Sequence, residues 1–136
     1  MEKRVVQAPG IAPPRSDYSH AVRVTRGSLL IISGQVPLDA NGVLVGKHDF
    51  EAQARQVFAN LAAVLHAEGA DFTNVVQFRT YLTHYAYVKK FARLRHELFQ
   101  EYYPSGAYPP HTLLVVTSLA YPDYLIEVEA IAALDT

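Results

Sequence analysis

PPHTLLVVTSLAYPDYLIEVEAIA, residues 109–132, is apolar enough to be buried and decides the fold class. It predicts two strands joined by a turn at Tyr121-Pro122-Asp123, because proline and aspartate favour turn positions. Alternate side chains of the second strand point to opposite faces of a sheet, so Glu127 and Glu129 share one face. A buried carboxylate is costly unless it is paired or hydrogen-bonded. At least one of these glutamates is therefore expected to form an ion pair or to contact a substrate.

The chain before this stretch predicts two helices with a strand between them. Apolar residues recur at helical spacing from Phe50 onward, with Asp49 as the N-cap and Gly69 just past the end. A second helix is predicted from Ala86 to Tyr103, before Pro104. The strand between the helices is the segment Asn74–Leu82.

The N-terminal part predicts a short strand, an irregular proline-rich segment and then a hairpin. Val5-Val6 is the short strand, and strands at Ala21–Val24 and Leu29–Ser33 are predicted to pair across a turn at Arg26-Gly27-Ser28. The element order indicates one α+β domain over all 136 residues, with two helices covering one face of a mixed sheet. The second face has no helix to cover it, so a partner subunit is expected there.

Composition narrows the class of protein. The net charge is −1 without a basic run, so nucleic-acid binding is not encouraged. The absence of cysteine excludes disulfides and thiol chemistry. No apolar run approaches the ~20 residues of a membrane span, and no apolar signal segment follows the N-terminus, so a cytosolic protein is expected. The motifs HExxH, GxGxxG, P-loop and GxSxG are absent, and no metal or cofactor is predicted.

A few residues stand out on physical grounds. Glu127 lies deeper in the apolar run than Glu129, which favours it as a general base or water-orienting group. For Glu129, a functional role and a structural one, in solvent or paired with a buried arginine, are equally well supported. Arg95 falls inside the apolar stripe of the second helix, either as an ion-pair partner or as the cation for an anionic ligand. Tyr18 is either part of a lid or a packing residue. His111 is either part of the site or a residue of the surface or of an interface.

Several motifs taken together resemble the Rid proteins (YjgF/YER057c/UK114). In chain order they are Ala8-Pro9, Tyr18-Ser19-His20-Ala21-Val22, Ile32-Ser33-Gly34-Gln35-Val36-Pro37, Gln53-Ala54-Arg55-Gln56, Asn60-Leu61, Gly69-Ala70 and Leu125-Ile126-Glu127-Val128-Glu129-Ala130-Ile131-Ala132. The SGQ-P and IE-EAIA pieces are specific in combination, and the match covers nearly the whole chain. On these motifs the chain is identified as a member of that family.

The resemblance implies a chorismate-mutase-like α+β fold that assembles as a homotrimer with three clefts between subunits. Well-studied members are enamine/imine deaminases that convert intermediates such as 2-aminoacrylate to a 2-keto acid and ammonia, without metal or cofactor. In them a glutamate matching Glu127 handles the attacking water. A tyrosine matching Tyr18 and backbone groups around the segment matching Ser33-Gly34 line the cleft.

The chain departs from this pattern at Pro109-Pro110-His111-Thr112. His111 stands where the resemblance implies an arginine that clamps the substrate carboxylate, and histidine cannot make that bidentate, permanently charged contact. One interpretation is that the cleft hydrolyses a different or larger imine, with His111 or Arg95 at the anionic end. The other is that it binds a small metabolite without turnover. The older labels ribonuclease and translation inhibitor form a weaker third option, which the near-neutral charge does not support.

Overall fold

The computed structural model describes residues 1–136. A single 3₁₀ turn, Phe72–Asn74, lies between the first helix and the fourth strand. The helices and strands are β1 (Glu2–Val6), β2 (Ala21–Arg26), β3 (Ser28–Gln35), α1 (Phe50–Ala67), β4 (Val75–Leu82), α2 (Tyr87–Tyr102), β5 (His111–Val115) and β6 (Ile126–Leu134).

Helix α1 begins and ends where the local signals predict, and α2 lies within one residue of its predicted bounds at each end. The side chain of Asp49 accepts a hydrogen bond from the backbone N–H of Ala52 and caps α1. Gly69 follows the end of α1 with a φ of 67°, a left-handed conformation that glycine adopts without strain. The second helix ends at Tyr102, two residues before Pro104. These predictions are confirmed because capping and proline act within one turn of chain.

The main sheet is mixed and has the strand order β3-β6-β4-β5. Strand β6 pairs antiparallel with both β3 and β4, and β5 runs parallel to β4 at the edge. Strands β1 and β2 form a separate antiparallel pair. The predicted α+β class with a mixed sheet is therefore confirmed.

Both predicted hairpins are wrong. Only Gly27 separates β2 from β3, and the chain crosses there from the two-stranded sheet to the main sheet. A side chain at Gly27 would place a Cβ 2.2 Å from the carbonyl oxygen of Leu134, so this crossing requires glycine. The turn at Pro122-Asp123 exists, but β4 lies between β5 and β6. Strands β6 and β4 are the two inner strands, and β6 pairs with β3 on one side and with β4 on the other.

The two helices share one face of the main sheet, and aromatic rings fill the space between the layers. Phe58 of α1 contacts both Phe78 of β4 and Phe91 of α2, and Phe99 of α2 packs on Phe78. The opposite face has no helix. Large apolar side chains are exposed there, with Ile31 67% accessible.

The side chain of Gln53 on α1 holds the turn that precedes β6 in place. This amide is fully buried, and its Nε2 donates to the carbonyl oxygens of Gly46 and Asp123 at 3.1 and 2.9 Å. Its Oε1 accepts from the N–H of Leu125 at 2.8 Å. The start of β6, and with it Glu127, is thus positioned by one buried side chain.

Replacing Gln53 with leucine is expected to lower the free energy of unfolding by about 2–4 kcal/mol, because three backbone groups lose their partner. Urea titration followed by circular dichroism measures the change. Gln100→Leu on the exposed side of α2 is the matched control and should shift stability by no more than ~0.5 kcal/mol. Equal losses in the two variants would show that the buried amide has no special role.

Candidate functional site

Glu127 lies on the open face of the sheet, opposite Tyr81 of β4. Its carboxylate is pressed against Gly34, where a Cβ would lie 2.0 Å from Oε2. The approach is possible because β3 is irregular between Ile32 and Gln35, and because Gly34 has no side chain. Glu127 of β6 therefore lies against Gly34 of β3, and Ser33 precedes Gly34 in that strand.

The two glutamates of β6 have different surroundings. Glu129 accepts hydrogen bonds from Arg79 Nη1 at 2.6 Å and from the Tyr81 hydroxyl at 3.0 Å. Glu127 forms no hydrogen bond or ion pair within the chain. Partial burial, followed by repulsion from the Glu129 carboxylate, raises the pKa of Glu127 above its ordinary value. Glu129 has a structural partner, whereas Glu127 is an unpaired and more basic carboxylate.

A second group of polar residues lies on the helix side of the sheet. Arg95 of α2 is 5% exposed, and its Nη2 donates to Ser16 Oγ at 3.0 Å. Its guanidinium lies 5.5 Å from the centre of the Phe91 ring. Burial lowers the pKa of Arg95, although the nearby Asp17 and Tyr18 act in the opposite direction. Arg95 forms no ion pair with either glutamate of β6.

His111, the first residue of β5, points into the aromatic layer beneath α2. Its Nε2 lies 2.7 Å from Thr80 Oγ1, and its ring contacts those of Phe78 and Phe91. Burial, and then the positive charge of Arg95, lowers the pKa of His111 to about 3. The imidazole is therefore neutral at physiological pH and supplies no charge.

The segment between β1 and β2 crosses the outside of this group. Asp17 Oδ2 lies 2.7 Å from His96 Nδ1 on α2, and the N–H of Ser19 donates to the carbonyl oxygen of Pro109. Tyr18 is half-buried on the same segment, with its hydroxyl 3.5 Å from the N–H of Arg15. The structure thus groups Tyr18 with Arg95 and His111, on the face opposite Glu127.

The candidate residues form two clusters that do not meet within one chain. The sheet-face cluster is Ser33, Gly34 and Glu127; the helix-side cluster comprises Tyr18, Arg95 and His111 together with Ser16, Ser19 and Thr80. The last three were not singled out from sequence. Thr80 carried a usable signal, since alternation in β4 places its hydroxyl beside Phe78 on the buried face.

Two further observations concern the whole chain. No three histidine, aspartate or glutamate side chains are grouped so that they could bind a metal ion. Neither helix is long and apolar enough to cross a bilayer.

Comparison with known proteins gives consistent matches over the full length. Residues 9–134 match the sequence profile of the family described as endoribonuclease L-PSP. A RutC family protein of Pyrococcus horikoshii is 34% identical over 130 residues, covering 96% of this chain and 97% of that protein. The 3-aminoacrylate deaminase RutC of Acinetobacter baylyi is 27% identical over 132 residues, covering 97% and 98%. A crystal structure of YyfB, a Rid-family protein of Yersinia pestis, superposes with a TM-score of 0.86 at 39% identity, covering 98% and 100%.

Proposed function

The chain belongs to the endoribonuclease L-PSP family, which includes the Rid and RutC proteins, and from this premise we propose that it hydrolyses a reactive imine or enamine. The products are a carbonyl compound and ammonia. The observation that carries the proposal is Glu127, an unpaired carboxylate of raised pKa held against a glycine. A relative that aligns with this chain over 98% of its own length is a 3-aminoacrylate deaminase, which supports this reaction class.

In the proposed reaction Glu127 acts on a water molecule. The carboxylate takes a proton as the water oxygen bonds to the imine carbon and passes it to the nitrogen, which gives a carbinolamine. It then takes the proton of the new hydroxyl group and passes it to the nitrogen as the carbon–nitrogen bond breaks and the carbonyl forms. An enamine first takes up a proton at carbon and loses one from nitrogen to become the imine. Water is the only co-reactant, so atoms and charges balance. The raised pKa suits this role, since a more basic carboxylate accepts the proton more readily.

A site that uses both clusters must combine two subunits. Glu127 lies on the open face, whereas Arg95 and His111 lie on the helix side of the same sheet. Exposed apolar residues on the open face, among them Leu29 and Ile31, favour its burial against another copy. We therefore place the reaction in a cleft between subunits of a cytosolic homotrimer, with the helix-side cluster at the anionic end of the substrate.

Ammonia release from a panel of 2-imino acids, each generated in solution by an amino-acid oxidase, tests the proposal. Acceleration above the spontaneous rate is expected for at least one imine, with 2-iminopropanoate a poorer substrate than larger members of the panel. No acceleration for any imine, together with ligand-induced thermal shifts, would favour binding without turnover. Elution as a monomer in gel filtration would contradict an intersubunit cleft.

Gly34→Ala is expected to slow ammonia release about 10- to 100-fold, because the new Cβ displaces the Glu127 carboxylate. A double-mutant cycle with Glu127→Gln tests whether the slower ammonia release of Gly34→Ala comes from displacement of the Glu127 carboxylate. The double variant should be no slower than Glu127→Gln alone, since both changes act on one group. If the rate losses of the two single variants multiplied in the double variant, Gly34 would act independently of the Glu127 carboxylate.

A further inference from the structure

Three buried polar atoms of the chain lack a hydrogen-bond partner, and all three belong to the helix-side cluster. They are Ser19 Oγ, Arg95 Nε and His111 Nδ1. Ser19 pairs through its backbone with Pro109 and Pro110, directly before His111. Arg95 and His111 both lie against the ring of Phe91. Unpartnered buried polar groups are rare, so three in one place indicate a missing ligand.

The hydrogen-bonding character of His111 follows from its neighbours. If Nδ1 were an acceptor, the adjacent Arg95 Nε–H would be its natural donor, yet neither atom is paired. The consistent tautomer has its proton on Nδ1, with Nε2 accepting from the Thr80 hydroxyl. The cluster then presents an N–H from Arg95, an N–H from His111 and the hydroxyl of Ser19. Three donors and one positive charge match an anionic oxygen group.

We propose that Arg95, His111 and Ser19 bind the carboxylate of the substrate, with Arg95 as the sole cation and His111 as a neutral donor. The inference rests on the proposed function, since it concerns the anionic end of the same substrate. The positive charge that binds the carboxylate therefore lies on helix α2, not on strand β5.

The charge balance selects a monoanion. Arg95 is the one cation of the cluster, and Asp17 lies close enough to offset part of its field. A phosphate group, with a charge of about −2, would leave excess negative charge in a buried place. A second guanidinium at position 111 would repel Arg95, so a neutral imidazole there and a cation at 95 are mutually consistent.

Access to the donors depends on the segment between β1 and β2. It closes the cluster from outside and is held to α2 through Ser16–Arg95 and Asp17–His96 contacts. The Ser16 bond uses Nη2 and leaves the Nε edge of the guanidinium for a ligand. A ligand carboxylate therefore requires this segment to move away from α2 before it can contact that edge.

Binding of pyruvate to the full-length protein, measured by calorimetry or by ligand-observed NMR, tests the inference without catalysis. Pyruvamide, its neutral amide, and inorganic phosphate are the comparison probes. Pyruvate is expected to bind, and both comparison probes to bind at least tenfold more weakly. Arg95→Met should weaken pyruvate binding roughly 10- to 100-fold and Ser19→Ala roughly 3- to 10-fold.

Arg93→Met, an exposed arginine on the same helix, is the matched control and should leave pyruvate affinity unchanged. Thermal unfolding checks that each variant is folded, and Ser19→Ala remains informative if Arg95→Met is not. Absent pyruvate binding, equal binding of pyruvamide, tighter binding of phosphate, or wild-type affinity in a folded Arg95→Met protein would each overturn the inference.

The outcomes also separate this inference from the proposed function. Arg95-dependent pyruvate binding without any ammonia release supports the carboxylate site and contradicts the hydrolase. Ammonia release that is undiminished in Arg95→Met supports the hydrolase and contradicts the carboxylate site.

Discussion

Glu127→Gln is expected to reduce the rate of ammonia release by about 10²- to 10⁴-fold, the usual contribution of a general base. The amide has nearly the same size but cannot take a proton from water. Stability should be unchanged or slightly higher, because Glu127 has no partner to lose and its repulsion with Glu129 disappears. Rates of ammonia release and urea unfolding curves on the same preparations measure both effects.

Glu129→Gln is the matched control, since it removes the other carboxylate from the same face of the same strand. Its bonds to Arg79 and Tyr81 weaken, so stability should fall by up to about 1 kcal/mol. The rate of ammonia release should stay within a few-fold of wild type. If Glu129→Gln abolished the reaction and Glu127→Gln did not, the roles assigned to the two glutamates would have to be exchanged.

Acid is expected to destabilise the protein through His111. The pKa of this residue is about 3 in the folded chain against 6.5 when unfolded, so the unfolded state binds a proton first as the pH falls. The stability present above pH 6.5 is lost progressively between about pH 6.5 and pH 3, at about 1.4 kcal/mol per pH unit. The total is on the order of 5 kcal/mol, a large share of the stability of a small domain.

Urea unfolding in steps between pH 7 and pH 4 measures this loss, compared with His111→Gln. Glutamine retains a group that hydrogen-bonds Thr80 but does not titrate, so the variant should lose stability less steeply as the pH falls. His84→Gln, at an exposed histidine, should keep the steep wild-type slope. Parallel slopes for wild type and His111→Gln would show that His111 does not remain neutral in the folded state.

Local patterns in the sequence were sufficient to predict where the helices and strands lie and which of their faces carry polar side chains. Helix periodicity, Asp49 and Gly69 placed α1, and alternation along β6 placed Glu127 and Glu129 together on one face. The inward position of Arg95 in the stripe of α2 was also predicted and is confirmed by its burial. These features depend on neighbours within a few residues, which is why a single sequence reveals them.

Only the tertiary structure showed which strands pair and what surrounds each side chain. It alone also showed which candidate site residues lie together. Adjacent strands such as β5 and β6 suggest a hairpin, but β4 can enter between them because its place is set by packing against distant helices. The parallel pairing of β5 with β4 sets His111 opposite the buried Phe78 and so on the helix side, beside Arg95 and away from Glu127. Contacts between residues far apart in sequence leave no local signature, so the partner of each charge is decided by the fold.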